Sequence, residues 1–534
     1  MNKRLVVSTF ILAVLSSTLL FSSEFYYKDL YCDGGWYSYP ALAMSRNGSP
    51  AESQKQIDDL KSIHGVKSAF GWRTQYSIRI FYTALWLKYI SKSIVSLKFL
   101  GLLELISLLI LTYVLIHRFS RDHLISLLLF AILINDKRII LVATSDYRPD
   151  IMVAVFSCLV FLFFLWKNKT YGLIFAILTS CLLMLVHITA VIPFITIICF
   201  FLFHNAISGN YKLRDNYRYL LVAGIAFVVF SYRYVVFDSI FFSSDHFIQS
   251  HAMALQKVSI VNSKYPHKIF EAFEHGFLNL LRKEAGRWRT YFVLFNIAEF
   301  LAFFTGFILL LKQSHFSFSG NKKGLSFFFA ILTGLLSFLV LDPHTTWRHG
   351  IVLIPFCFLM LSCAFQPMKL LSKRYLYVLI AIVWFSSFHS ILIAGQLMLK
   401  GKRDGYNISM ATKSFEEIIS NKDHDYLLLG PTEIWPFIKQ NKNVLIIDER
   451  SEKQFKKIEP IIDSVDYIVI NEDYKNWKFE EAFLKYFPNY YFDTKLNISG
   501  RDVLLKILKL RKRVDEFKVE PNLIRRTDLK SYDS

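Results

Sequence analysis

Apolar runs of about 16–23 residues recur along this chain, and they leave it few ways to fold. A helix that crosses a bilayer needs about 20 mostly apolar residues. Eleven runs qualify: roughly 5–21, 95–116, 124–140, 151–166, 171–186, 188–204, 219–236, 291–311, 325–341, 350–366 and 375–397. Within hydrocarbon every backbone polar group must be satisfied inside its own segment, so each run is expected to be a helix. The third is the weakest, because Asp136, Lys137 and Arg138 interrupt it. The stretch 77–92 has apolar residues at helical spacing with Arg79, Lys88 and Lys92 among them. We read it as an amphipathic helix lying at the membrane interface.

Composition agrees. Of 534 residues, 54% are hydrophobic and only 19% are charged. That excludes a simple soluble enzyme, a disordered chain and a disulfide scaffold. Of the six cysteines, Cys158, Cys181, Cys199, Cys357 and Cys363 lie inside apolar runs, and no CxxC occurs. They read as small apolar core residues. The first run follows MNKR, and the bulky SSEFYYKDLY after it offers no cleavage site, so an uncleaved anchor is expected.

The charge balance of +20 would suggest nucleic acid in a soluble protein, but here the spans account for it. With the N-terminus inside, the cytoplasmic loops are 1–4, 117–123, 167–170, 205–218, 312–324 and 367–374. They hold fifteen Lys and Arg against two acids, Asp122 and Asp215. Each of these loops satisfies the positive-inside rule. The expected location is therefore a multi-pass cell (inner) membrane, with no nucleic-acid partner. The long outer segments are 22–94, 237–290 and everything after about 398, and the short outer loops are about 141–150 and 342–349.

Beyond Lys400 the apolar runs shrink to five to seven residues, as in DYLLLG, NVLIIDE and VDYIVINED. Helical pieces such as NWKFEEAFLKYF lie between them. Alternating strand and helix signals suggest a small α/β domain. The expected organisation is an α-helical multi-pass membrane domain over 1–398, an extracytoplasmic α/β domain over 399–510 and a polar tail over 511–534.

Three polar clusters fall on the outer side by this topology. The first is CDGGWYSYPALAMSRNG, in which Asp33 precedes Gly34 and Gly35. The second is TSDYRPD, with Asp146, Arg148 and Asp150. Its Pro149 suits a first helical turn, which puts the Asp150 carboxylate near a helix N-terminus that favours negative charge. The third is LDPHTTWRHG, with His344, Arg348 and His349. A guanidinium there can make paired charge-assisted bonds to a lipid phosphate. Each cluster alone also has a plain reading: a solvated loop acid, a capped helix start with a local ion pair, and snorkelling headgroup contacts. The histidines of 237–290 show no HxxxH or HExxH spacing.

Taken together, these motifs resemble the GT-C glycosyltransferases, which use polyprenyl-phosphate-linked sugars. The nearest branch is that of bacterial protein O-mannosyltransferases and lipid A aminoarabinose transferases. The resemblance rests on the first-loop Asp33, the element Arg148–Pro149–Asp150 opening a middle span, and the late HTTWRHGIVLIPF segment. It covers roughly residues 1–400. It implies an outer-loop Asp acting as base and a sugar-phosphate lipid as donor. Gly34 follows Asp33 where the family usually has a second acid, so metal dependence is open and a divalent cation is a candidate cofactor.

The expected activity is transfer of a hexosyl or pentosyl group to a cell-envelope glycan, glycolipid or protein, with inversion. A carboxylate takes the acceptor proton while fixed cations stabilise the leaving phosphate. Asp33 is the candidate base. Arg348, with His344, His349 and Arg148, is the candidate phosphate site. Asp146 and Asp150 would orient the acceptor or hold a cation. The main alternative is a transporter or flippase of lipid-linked sugars, against which the interior charges Glu104, His187, Glu299 and His389 read as few. A receptor or assembly protein, and a polysaccharide polymerase or ligase of another fold, are the remaining rivals.

Overall fold

The structure, a computed structural model, describes residues 3–27, 38, 41–42, 44–45, 78–91, 93–144, 147–209, 213–241, 297–314, 321–341, 350–365, 373–404, 427–430, 444–446, 455, 459–471, 479–499 and 504–512. Up to residue 404 the regular elements are helices. They are α1 (Lys3–Tyr27), α2 (Ile78–Tyr89), α3 (Ile94–Ser120), α4 (His123–Ile134), α5 (Lys137–Thr144), α6 (Asp150–Phe164) and α7 (Lys169–Val186). After these come α8 (Val191–Ile207), α9 (Leu213–Phe241), α10 (Ile297–Ser314), α11 (Lys322–Leu341), α12 (Ile354–Phe365) and α13 (Lys373–Asp404). All eleven apolar runs contain helix. Among the described residues, five helices are long and apolar enough to cross a bilayer, and α4, α6, α8 and Ile351–Phe365 are shorter apolar helices. This is a membrane protein.

The helices bury one stripe and leave large apolar side chains on the other. Ile11 and Leu15 of α1 and Ile106 and Ile110 of α3 stay exposed, as suits a lipid-facing surface. Toward the basic helix ends an aromatic cluster joins α6, α8, α11 and α12. Phe200 stacks on Phe327 with ring centroids 4.0 Å apart, and Phe161 meets Phe200, Phe327 and Phe356. The five described cysteines are free, and Cys158, Cys357 and Cys363 are buried among apolar neighbours, as expected.

The run 124–140 is not one helix. It breaks at Asn135–Asp136 because both side chains compete for backbone groups. The Asn135 amide donates to the carbonyls of Ala13 and Ala131 at 3.1 and 3.0 Å, and the Asp136 carboxylate accepts from the Arg138 backbone N–H at 2.9 Å. The second piece, α5, lies against α3. A Cβ on Gly101 would sit 1.9 Å from the Ala143 carbonyl oxygen, so only glycine allows this approach.

The reading that interior charges are few is overturned. Glu24, Arg79, Lys98, Asp136, Arg138, Arg148, Asp150, Arg233 and Glu299 are all buried. Arg79, Arg138 and Arg148 turn inward and pair with Glu104, with Asp136 and Glu299, and with Asp150. At 1.5 Å rise per residue, Glu104, Asp150 and Glu299 stand roughly 20–24 Å along their helices from Ser120, Phe164 and Lys312. With hydrocarbon about 30 Å thick, these acids occupy the half of the bundle away from the basic loops.

Beyond residue 404 the described residues form a five-stranded sheet in the order β2-β1-β3-β5-β4. The strands are β1 (Leu427–Gly430), β2 (Val444–Ile446), β3 (Val465–Asn471), β4 (Tyr490–Ser499) and β5 (Leu504–Lys512). β1 pairs parallel with β2 and β3, whereas β5 is antiparallel to β3 and β4. Helix α14 (Phe479–Tyr486) covers one face, with Phe483 packed on Phe455 and Phe492. This is the expected α/β unit. β5 runs two residues into the segment expected as tail, because Arg511 and Lys512 pair with Asp493 and Asp463 at 3.1 and 2.9 Å.

Candidate active site

Of the seven residues singled out from the sequence, Arg148 and Asp150 are described. Asp33, Asp146, His344, Arg348 and His349 lie outside the described residues. The second cluster therefore carries the geometry.

Its backbone is set first. Tyr147 adopts φ 44°, a left-handed conformation that a bulky residue rarely takes. Several contacts fix it there. The Arg148 N–H donates to the Val142 carbonyl at 3.2 Å, and the Tyr147 and Thr83 hydroxyls meet at 3.0 Å. Arg79, 2% exposed on α2, donates to the Tyr147 carbonyl at 2.7 Å and lies 4.0 Å over the Tyr147 ring. The same guanidinium forks onto Glu104 of α3, with Nε and Nη2 donating to the two carboxylate oxygens at 3.1 and 2.6 Å. Such a paired bond fixes direction as well as charge. Burial raises the Tyr147 phenol above its ordinary range, although the Arg79 guanidinium pulls the other way, so this group remains a hydroxyl. Helix α2 was read as interfacial; its inward face carries Arg79, Ile80, Thr83, Ala84 and Leu87.

The left-handed turn delivers Arg148 and Asp150 to the mouth of α6. Pro149 sits at the N-cap, and Asp150 is the first helical residue, fully buried. The helix N-terminus favours its negative charge. Its two oxygens have separate partners. Arg148 Nε donates to Oδ2 at 2.9 Å, and the Thr189 hydroxyl donates to Oδ1 at 3.2 Å. Thr189 belongs to the tight turn between α7 and α8, where His187 has extended backbone and Ile188–Ala190 form one 3-10 turn. His187 Nδ1 lies 2.9 Å from the Thr189 hydroxyl.

Arg79, Tyr147 and Thr189 were not foreseen as site residues. Arg79 looked like one of several basic residues on an amphipathic helix, and Glu104 and His187 only like interior charges. A lone acid within a run such as LGLLELISLL requires a cation, which is the signal that could have led to Arg79.

Among the described residues no group of three metal-ligating side chains converges. Asp150 accepts from Arg148 and Thr189, and Asp146, the other candidate cation ligand, lies outside the described residues.

No protein-family model matches the chain, and no curated protein matches it by sequence. Solved structures do. The crystal structure of ArnT from Cupriavidus metallidurans, bound to undecaprenyl phosphate, superposes with a TM-score of 0.54 at 9% identity, covering 93% of this chain and 97% of that one. The oligosaccharyltransferase of Archaeoglobus fulgidus, solved with zinc and sulfate, gives a TM-score of 0.47 at 14% identity over 93% of this chain and 72% of that one. Both neighbours are GT-C glycosyltransferases. The alignment with ArnT spans the helical bundle and the C-terminal unit alike, and on that likeness this chain has the GT-C fold.

Proposed function

We propose that this protein is a membrane glycosyltransferase that moves a sugar from a polyprenyl-phosphate donor to an acceptor on the extracytoplasmic face, with inversion. The observation that carries this reading is the end-to-end match to the fold of ArnT, whose crystal structure holds undecaprenyl phosphate. The buried Arg148–Asp150 pair at the bundle end away from the basic loops supports it. The acceptor is a glycan, a glycolipid or a protein.

In this mechanism the Asp33 carboxylate takes the proton of the acceptor hydroxyl as that oxygen attacks the anomeric carbon. The new glycosidic bond forms on the face opposite the departing group. The carbon–oxygen bond to phosphate breaks, and its electron pair leaves with the lipid phosphate. Arg348, His344, His349 and Arg148 bind that phosphate and stabilise the charge that builds on it. Asp150, with both oxygens already bonded, orients rather than accepts a proton, and Asp146 shares that role.

A second reading, a transporter or flippase of lipid-linked sugars, gains from one feature. The broken helix pair α4–α5 carries Asp136 and Arg138 at depth, next to Glu299, and broken helices with ionisable groups mark transport pathways.

Two variants test the proposal. Asp33→Asn keeps shape and removes the proton acceptor, so kcat should fall about 10²–10⁴-fold with donor binding intact. Arg348→Ala should instead raise the KM for donor. Wild-type turnover by Asp33→Asn at matched expression overturns the assignment of the base.

A further inference from the structure

Asp150 is buried, paired with Arg148 and placed at a helix mouth. Its second oxygen accepts from a residue outside its own helix, Thr189, reached across the bundle from the turn between α7 and α8. The turn is short and built for this placement. Helix α7 stops at Val186, His187 turns extended at φ −162° and ψ 160°, and one 3-10 turn leads into α8. Thr189 is 4% exposed, so its hydroxyl is largely shielded from bulk solvent.

The hydrogen-bond accounting goes one step further. Thr189 has a single hydroxyl proton, and two acceptors compete for it: Asp150 Oδ1 at 3.2 Å and His187 Nδ1 at 2.9 Å. Nδ1 accepts from the Thr189 backbone N–H at 3.3 Å, which occupies its one lone pair and leaves the hydroxyl proton for Asp150 Oδ1. The His187 ring thus anchors the residue whose hydroxyl holds the carboxylate.

We propose that His187 and Thr189 are positioning residues for the site, fixing the Asp150 carboxylate through the Thr189 hydroxyl, with His187 Nδ1 anchoring the Thr189 backbone N–H behind it. The proposal rests on the glycosyltransferase reading for its catalytic consequence, but the contact it invokes does not.

The test uses the full-length protein in detergent or proteoliposomes. Thr189→Val is close to isosteric and removes the donor, whereas Thr189→Ser keeps it. Misplacing a bound group by about 1 Å can cost on the order of 10²-fold. Thr189→Val should therefore lower kcat by about 10- to 100-fold with donor KM unchanged within about twofold, and Thr189→Ser should recover most of that loss. His187→Ala should fall in the same direction, and His187→Asn, whose amide oxygen can accept in place of Nδ1, should be milder. Wild-type kcat in Thr189→Val, or equal loss in the Val and Ser variants, overturns the positioning role. A second measurement does not depend on turnover. The melting-temperature shifts of Thr189→Val and Asp150→Asn should be non-additive in the double variant. Additive shifts overturn the contact itself, whereas non-additive shifts in a protein that transfers no sugar would support the contact and remove only the glycosyltransferase reading.

Discussion

The Arg138 guanidinium bonds the Glu299 carboxylate across the bundle while also bridging to Asp136 at 2.8 Å. One cation thereby ties the break between α4 and α5 to the first turn of α10. All three side chains are at most 3% exposed. Removing one partner of a buried ionic group costs about 3–5 kcal/mol, because the remaining charge is left uncompensated. Arg138→Ala should therefore lower the melting temperature in detergent sharply. The triple variant Asp136→Asn, Arg138→Met, Glu299→Gln, which carries no charge there, should recover much of the loss. If Arg138→Ala melts like wild type, this cluster does not hold the helix break.

Arg79 is the corresponding tie at the candidate site. It serves Glu104 and the Tyr147 carbonyl at once, which a guanidinium fork can do and a single ammonium cannot. Arg79→Lys keeps the charge beside Glu104 but should free Tyr147 from its left-handed conformation. We expect a kcat loss of up to about 10²-fold with a modest fall in stability, read from sugar-transfer rates and melting curves on the same preparation. A variant with wild-type kcat would show that the strained turn does not position the site.

These two clusters mark where the sequence was readable and where it was not. Apolar run length located the bundle helices other than α2 and the break between α4 and α5, since a bilayer leaves the backbone no alternative. The motif at Arg148–Pro149–Asp150 opened a helix with its local ion pair because these contacts are made within three residues. The break at Asn135 and the inward course of Arg79 and Arg138 were not readable. They depend on partners 25 to 161 positions away, and a basic residue near a span end reads the same whether it snorkels or pairs. Thr189 was hidden for the same reason, since a threonine in an apolar run gives no signal until the chain brings Asp150 beside it.

Orientation gives a simple check. If the N-terminus is inside, as proposed, Ser208 at the C-cap of α8 should face the cytoplasm and position 420 should be outside. A single cysteine at 420 should react with an impermeant thiol reagent added to intact cells, and one at 208 should react only after permeabilisation. The reverse pattern would invert the bundle and place Asp150 on the wrong face.

The C-terminal sheet is proposed to rest on the outer face and contact the acceptor. A chain ending at Met398 should insert and bind donor, but lose activity toward its native acceptor by at least about tenfold, the scale of lost substrate positioning. Normal activity of that truncated protein would leave the domain with no acceptor role.

Bond cleavage at the donor separates the central claim from its rival most directly. Purified protein in proteoliposomes is supplied with a polyprenyl-phosphate-linked sugar and an acceptor extract, and free polyprenyl phosphate is measured over time. The account predicts that the lipid phosphate accumulates in step with a new sugar–acceptor product, and that Asp33→Asn abolishes both. Movement of the intact sugar lipid from one leaflet to the other, with no polyprenyl phosphate released, would contradict it.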